Sequence, residues 1–190
     1  MKLGKITTLT LAACVLGTAL CVPGVAANKM RAKMVGGAAM YPTKNIVENA
    51  VNSKDHTTLV AAVKAAGLVD TLSSAGPFTV FAPTNEAFAK LPGGTVDTLL
   101  KPENKDKLTA VLTYHVVSGT YTASKLIGLT KAGHGMATLK TVQGGDLTFM
   151  KSGKGIAVKD AKGDVSRVTI SDVMQSNGVI HVVDTVLLPG

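Results

Sequence analysis

Apolar residues in the first half of the chain recur at helical spacing, and those in the second half cluster as they do in strands. Leu59, Val63 and Ala66 fall at i, i+4 and i+7, the stripe of an amphipathic helix. Gly67 follows with Leu68 behind it, the pattern of a left-handed cap whose next apolar residue folds back on the helix. Upstream, Asn45-Ile46-Val47-Glu48 has the chemistry of a capping box and opens a short helix through about Val51. Asp55 or Thr57 is placed to cap the helix after it, and Val69 to Leu72 reads as a further helical stretch. Gly76-Pro77 then turns into Phe78 to Ala82, an apolar and β-branched run that predicts a buried strand. Pro83 stops that strand, because proline cannot donate to a sheet ladder. Thr84 is placed to cap a helix carrying Phe88 and Leu91 inward, with Glu86 in its favoured first turn.

Leu91-Pro92-Gly93-Gly94 is a break, and Val96, Leu99 and Leu100 suggest a short helix after it. Asn104 to about Tyr114 predicts another, with Leu108, Val111, Leu112 and His115 on one face. Val116 to Gly119 leaves it as an extended segment, and Thr122 to Ile127 forms a helical turn. From Met136 the pattern becomes one of strands. Ala137 to Val142 and Leu147 to Lys151 flank the hairpin signal Gly144-Gly145-Asp146. Ile156 to Lys159, Val165 to Asp172 and Val179 to Leu188 follow, separated by turns around Gly163 and at Asn177-Gly178. Helices first, strands second and one early strand predict an α+β domain with a mainly antiparallel sheet closed by the last strand. No internal repeat stands out, so one domain is expected.

The first 27 residues stand apart from this pattern. Met1 to Lys5 carries two lysines, Ile6 to Val22 is almost wholly apolar or small, and Val25-Ala26-Ala27 is a small-residue cleavage site. That is the plan of a secretory signal peptide cut after Ala27. The interruptions at Thr7, Thr8, Thr10, Thr18 and Pro23 argue against a membrane anchor. Leu11-Ala12-Ala13-Cys14 also resembles a lipoprotein box, which would place a lipid on Cys14. Both cysteines, Cys14 and Cys21, lie in this segment, so an exported chain has no disulfide framework and folds by burial alone. Residues 28–44 read as a flexible basic leader. The fold is expected over 45–189, in a protein secreted or held in the periplasm.

The formal net charge of the 190 residues is +8, and it becomes +6 without the two lysines of the signal. Nearly all of it is lysine, because the arginines are Arg31 and Arg167 alone. There is no Trp to build a base-stacking platform, and arginine forks for phosphates are scarce. No nucleic-acid partner is expected. A solvated lysine face, or weak attraction to anionic surfaces and polysaccharides, fits better.

Catalytic and metal-binding patterns are missing. No two histidines share a local ligand spacing, no Gly-x-Ser-x-Gly elbow occurs, and Gly144-Gly145 lacks the lysine and hydroxyl of a phosphate loop. No enzyme, metal or cofactor is expected. His115 lies on an apolar helix face and reads either as a contact or as a buried imidazole tied to backbone. His181 alternates with Ile180 and Val182, which leaves core latch and surface contact open. His56 and His134 read as solvent-exposed. Asp172-Val173-Met174 reads either as a solvated acid with core filler or as a small mixed patch for a partner.

Three blocks resemble a known family. Thr79-Val80-Phe81-Ala82-Pro83-Thr84-Asn85-Glu86-Ala87-Phe88 is similar to the first signature of the fasciclin domain. Asn177-Gly178-Val179-Ile180-His181-Val182-Val183-Asp184 with Thr185-Val186-Leu187-Leu188-Pro189 is similar to the second. Tyr114-His115 resembles the tyrosine–histidine block between them. The likeness runs from Asn45 to Pro189 and is greatest to short secreted bacterial members. It implies a wedge-shaped sandwich of about seven strands in two sheets with helices packed around it. It implies a non-enzymatic adhesion or interaction module whose partner is a protein or polysaccharide at a cell surface or matrix, and a monomer is expected. The alternative is a carrier of a small apolar ligand. In animal members the tyrosine–histidine block and an aspartate–isoleucine pair are contact sites. By that resemblance Tyr114, His115, Asp172, Val173 and Met174 are candidate binding residues. Thr84, Asn85, His115, Asn177, Gly178 and His181 are candidate structural residues.

Overall fold

Among the described residues, side-chain caps decide where three of the seven α-helices begin. The computed structural model describes residues 32–153 and 155–190, so the expected signal peptide and Cys14 lie outside it. Asn45 accepts from the Glu48 amide at 2.8 Å while Glu48 accepts from the Asn45 amide at 2.8 Å, closing the expected capping box of α1 (Ile46–Ala50). Thr84 Oγ1 accepts from the Ala87 amide at 3.2 Å and starts α4 (Asn85–Ala89). α2 (Thr57–Ala66) ends on Gly67 in the left-handed conformation, with the Leu68 amide donating back to Val63. Its start departs from expectation, because neither Asp55 nor Thr57 caps it. The cap comes from Asn85, whose Oδ1 accepts from the Thr58 amide at 3.0 Å while its Nδ2 donates to the Lys54 carbonyl. One asparagine thus sits in α4 and pins the entry of α2. Thr84→Ala is expected to lose about 1 kcal/mol, read by urea denaturation. A smaller change than for an exposed threonine elsewhere would contradict this capping role.

The remaining helices are α3 (Val69–Ser73), α5 (Thr95–Leu99), α6 (Lys105–Tyr114) and α7 (Ala123–Ala132). α7 runs five residues beyond the expected turn, because Leu126 and Thr130 bury one face of it against the strands. The strands are β1 (Lys33–Val35), β2 (Ala38–Met40), β3 (Phe78–Pro83), β4 (Val116–Ser118), β5 (Met136–Lys140), β6 (Asp146–Ser152), β7 (Gly155–Lys159), β8 (Val165–Gln175) and β9 (Gly178–Val183).

Seven of these strands form one continuous ladder in the order β4-β3-β9-β8-β7-β6-β5. β3 and β9 are parallel, and every other pair is antiparallel. The expected wedge of two sheets is therefore realised as a single curled sheet. Register shifts in β8 between Val168, Ile170 and Val173 bend it. The two edges meet where Val117 bridges Thr141 and the Val142 amide donates to Val116 at 2.8 Å.

Alternation at the centre of the sheet feeds two cores. Val80, Ala82, Ile180 and Val182 face one way, into a cluster with Leu59, Val63, Leu108 and Leu112 of the helices. Phe81 and Val183 face the other way, into the curl, where they meet Leu147, Phe149, Val158 and Leu126 of α7. The near-continuous apolar runs of β3 and β9 reflect burial on both faces.

Two expectations are corrected here. Residues 33–40 of the supposed flexible leader form a hairpin, with Val35 and Met40 1% exposed. Asn49 ties it down, accepting from the Tyr41 amide and donating to the Tyr41 carbonyl and to Gln175. The last strand also stops at Val183 rather than Leu188. Beyond it side chains take over the backbone. Asp184 Oδ1 accepts from the Arg167 amide, Ser166 Oγ donates to the Thr185 carbonyl, and Asp160 Oδ2 accepts from the Leu188 amide.

Candidate functional site

Each candidate residue is positioned by the ends of the elements just described, and most prove to be spent on the fold. Tyr114 closes α6 and is fully buried. Its hydroxyl donates to the Asp146 carbonyl at 2.7 Å and accepts from the Ala161 amide at 2.9 Å. Burial pushes that hydroxyl above its ordinary pKa, and the Ala161 amide bond works against the shift. It stays a neutral donor and cannot serve as a base. His115 is the next residue and is 2% exposed. Its Nδ1 lies 2.7 Å from the Val111 carbonyl and its Nε2 lies 2.9 Å from the Leu187 amide. A carbonyl can only accept and an amide can only donate, so the ring is neutral with its proton on Nδ1. Burial drives its pKa down to about 4, against the pull of the Val111 carbonyl and the Asp160 charge.

His181 faces the interior of the curl, which decides between the two open readings in favour of a latch. Its ring stacks on Phe81 with centroids 5.5 Å apart and an 18° tilt. Nε2 donates to the Tyr121 carbonyl at 2.7 Å and Nδ1 accepts from the Asp172 amide at 3.4 Å. Burial lowers its pKa, opposed by the Tyr121 bond and by Asp172. His56 is a correction. Expected in solvent, it is 1% exposed, because Lys54–His56 forms a 3-10 turn that rolls the ring under the fold. Nδ1 bonds Ser53 Oγ at 2.8 Å, and Nε2 has no hydrogen-bond partner among the described residues. Burial lowers its pKa, with Asp55 pulling the other way. His134 is exposed as read, at the Gly-rich end of α7.

Asp172 sits at a left-handed φ of 54° inside β8. Its Oδ1 accepts from the Ala123 amide at 2.7 Å, so the carboxylate caps the start of α7 and complements the dipole there. Val173 is fully buried in the helical core and Met174 is half-buried. The structure therefore gives Tyr114, His115 and Val173 no surface to present to a partner. Asp172 and Met174 keep partial exposure, nine and seven residues in chain order before the buried His181.

Asn177 and Gly178 stand at a junction. Asn177 Nδ2 donates to the Leu72 and Ser74 carbonyls, and its Oδ1 accepts from the Ile46 amide, joining α3 and α1 to the β8–β9 turn. Asp160 was missed from the sequence. Its Oδ1 accepts from the Lys162 and Asp164 amides and its Oδ2 from Leu188. The turn signal around Gly163 marked the loop but carried no hint that the tail would return to Asp160. Among the described residues no group of three His, Cys, Asp or Glu side chains converges to hold a metal, and no helix is long and apolar enough to cross a membrane.

Comparison with known proteins matches this geometry. The fasciclin domain family model covers residues 54–189. Protein sll1483 of a Synechocystis species is 49% identical over 179 residues, covering 91% of each chain. Immunogenic protein MPB70 of Mycobacterium bovis is 36% identical over 174 residues, 89% of this chain and 80% of the relative. Cell surface glycolipoprotein MPB83 of the same species is 34% identical, over 89% and 70% respectively. Among solved structures, a FAS1 domain pair from the insect cell adhesion molecule fasciclin I superposes with a TM-score of 0.69 at 18% identity. That match covers 76% of this chain and 51% of the insect chain.

Proposed function

Because the chain belongs to the fasciclin domain family, we propose that it is an exported, non-enzymatic interaction module that binds a protein or polysaccharide at a cell surface or matrix. The observation that supports this most is the occupancy of His115 and His181. Both nitrogens of each ring are bound to backbone, so neither imidazole is free to move a substrate proton. These two rings hold strands and helices together, and the outer surface is left to do the work. A signal cut near Ala27, a folded unit over 45–189 extended by the 33–40 hairpin, and a monomer complete the reading. The description of MPB83 as a cell surface glycolipoprotein agrees with a place outside the cytoplasm. The test is solid-phase binding of the protein, isolated from the medium or periplasm of its own cell, to envelope and matrix fractions. Saturable binding to a fraction is expected. Turnover of a substrate, lost on His115→Gln or His181→Gln at unchanged melting temperature, would contradict the reading.

A second reading rests on an apolar cleft whose free volume is about 40 Å³, room for a few waters, so it would have to widen to admit a ligand. Ile46 and Val47 of α1, Val60 and Val63 of α2 and Leu112 of α6 line it. As a carrier, the protein would hold an apolar molecule there. Native mass spectrometry separates the two readings. A stoichiometric co-purifying molecule supports the carrier, and a bare chain supports the module.

A further inference from the structure

The strands of the second half leave one broad face of the sheet without a helix over it. Leu147, Phe149, Ile156 and Val158 point inward to Leu126 of α7. Their neighbours in each strand must point outward. The registers align these outward residues into rows. Met136, Met150, Ala157 and Arg167 lie side by side across β5, β6, β7 and β8. Thr138, Thr148, Lys159 and Val165 form the next row, and Lys140 with Asp146 a third. Met136, Thr138, Lys140, Lys159, Val165 and Arg167 are all exposed. At about 4.8 Å between strands, a row is roughly 14 Å long.

The charge on this face is one-sided. Asp146 is the acid within these rows, and Lys140 already pairs with it at 3.1 Å. Lys159 and Arg167 have no carboxylate within ion-pair distance among the described residues, and they are diagonal neighbours across β7 and β8, about 7 Å apart at Cβ. Arg167 is also the one arginine among the described residues. Between the strands, Thr138 and Thr148 set two hydroxyls 3.5 Å apart in the same row.

We propose that the outer face of β5–β8 binds an acidic polysaccharide, with Lys159 and Arg167 on its carboxylate or sulfate groups and Thr138 and Thr148 on its hydroxyls. This rests on the module reading and names its ligand class. The polar character of the face favours a polymer over a membrane. Its exposed apolar residues, Met136 and Val165, stand on the two outermost strands, with half-buried Met150 and buried Ala157 in the row between. They do not form the contiguous apolar surface that inserts into lipid. The face has no aromatic ring, which disfavours stacked bases and leaves charge and hydroxyl pairing as the means of recognition. A polymer laid across the strands would meet both cations at once.

The experiment uses the exported protein and three probes: polygalacturonate, neutral dextran, and vesicles of phosphatidylglycerol and phosphatidylcholine. Binding is measured at low and physiological salt. Polygalacturonate is expected to bind and dextran not. K159E/R167E is expected to weaken the polymer at least tenfold. K105E/K107E, the same charge change on exposed lysines of α6, is expected to weaken it less than threefold. K159Q/R167Q puts no acid on the strands and serves if the reversal variant fails to fold, with an expected loss of about threefold or more. Equal losses in the two charge-reversal variants would reduce the effect to diffuse attraction and overturn the proposal. So would equal binding of dextran, or capture by vesicles without capture by polygalacturonate. If polygalacturonate fails while envelope fractions still bind saturably, this proposal alone falls. If both fail, the module reading falls with it.

Discussion

Gly178→Ala is expected to destabilise the fold by about 3 kcal/mol or more, lowering the melting temperature by roughly 10 °C. Gly178 opens β9 and pairs with Phe78 at the start of β3. A Cβ at Gly178 would stand 2.0 Å from the Phe78 carbonyl oxygen. Nothing flexible can give way, because the neighbour is backbone. Nor can the strands separate, since β3 and β9 are the centre of the sheet with a packed core on each face. Gly144 is the control. It also has a positive φ, of 102°, but a Cβ there meets nothing within 4 Å. Gly144→Ala carries the backbone strain alone and should lose about 1 kcal/mol. Equal melting temperatures for the two variants would remove the close approach of β3 and β9 from the account.

His115→Ala is expected to lose about 4 kcal/mol, from two sources. The ring's removal leaves a cavity, and it strands the buried Leu187 amide and the Val111 carbonyl without partners. The same ring makes stability depend on pH. Its folded pKa of about 4 lies below the unfolded value of 6.5, so the native state refuses a proton that the unfolded chain accepts. Above pH 6.5 both states are neutral and stability is full. Between 6.5 and about 4 the unfolded state binds more protons, and stability falls as pH falls. At about 1.4 kcal/mol per tenfold change in proton affinity, His115 alone accounts for about 3 kcal/mol over that interval. Burial lowers His181 and His56 as well, so they add in the same direction. Urea unfolding at pH 7 and pH 4.5 checks this. Wild type should lose stability on acidification, and His115→Phe should lose less. Equal losses in both would contradict a protonation cost at His115.

The starts of α1 and α4 and the end of α2 were legible because their chemistry is local. Asn45 with Glu48, Thr84 with Ala87, and Gly67 with Leu68 act within four residues of chain. The signature blocks announced β3, α4 and β9 for the same reason. What the chain order concealed was set by long-range contact. α7 outran its predicted turn because Leu126 fills the curl, and the hairpin at 33–40 folds down because Asn49 and Gln175 hold it. His56 was read as exposed because a cap-like position is usually wet, and only the 3-10 turn shows the ring rolled inward. The candidate contacts failed for a related reason. Tyr114, His115 and Val173 stand out as polar or motif-bearing positions, and a residue that bonds backbone 32 to 72 positions away carries the same mark. The rows of β5 to β8 were invisible for a different reason. Their register depends on three hairpins pairing in series, which no single segment declares.

The account depends on the His115 and His181 imidazoles acting as neutral fasteners of the backbone. The most direct test is a nitrogen NMR titration of the His115 ring in the folded protein. The ring should carry its proton on Nδ1 at neutral pH, with Nε2 unprotonated, and should stay neutral as pH is lowered until it approaches 4. A ring protonated on Nε2 at neutral pH, or one that titrates near 6.5 while the protein remains folded, would contradict it.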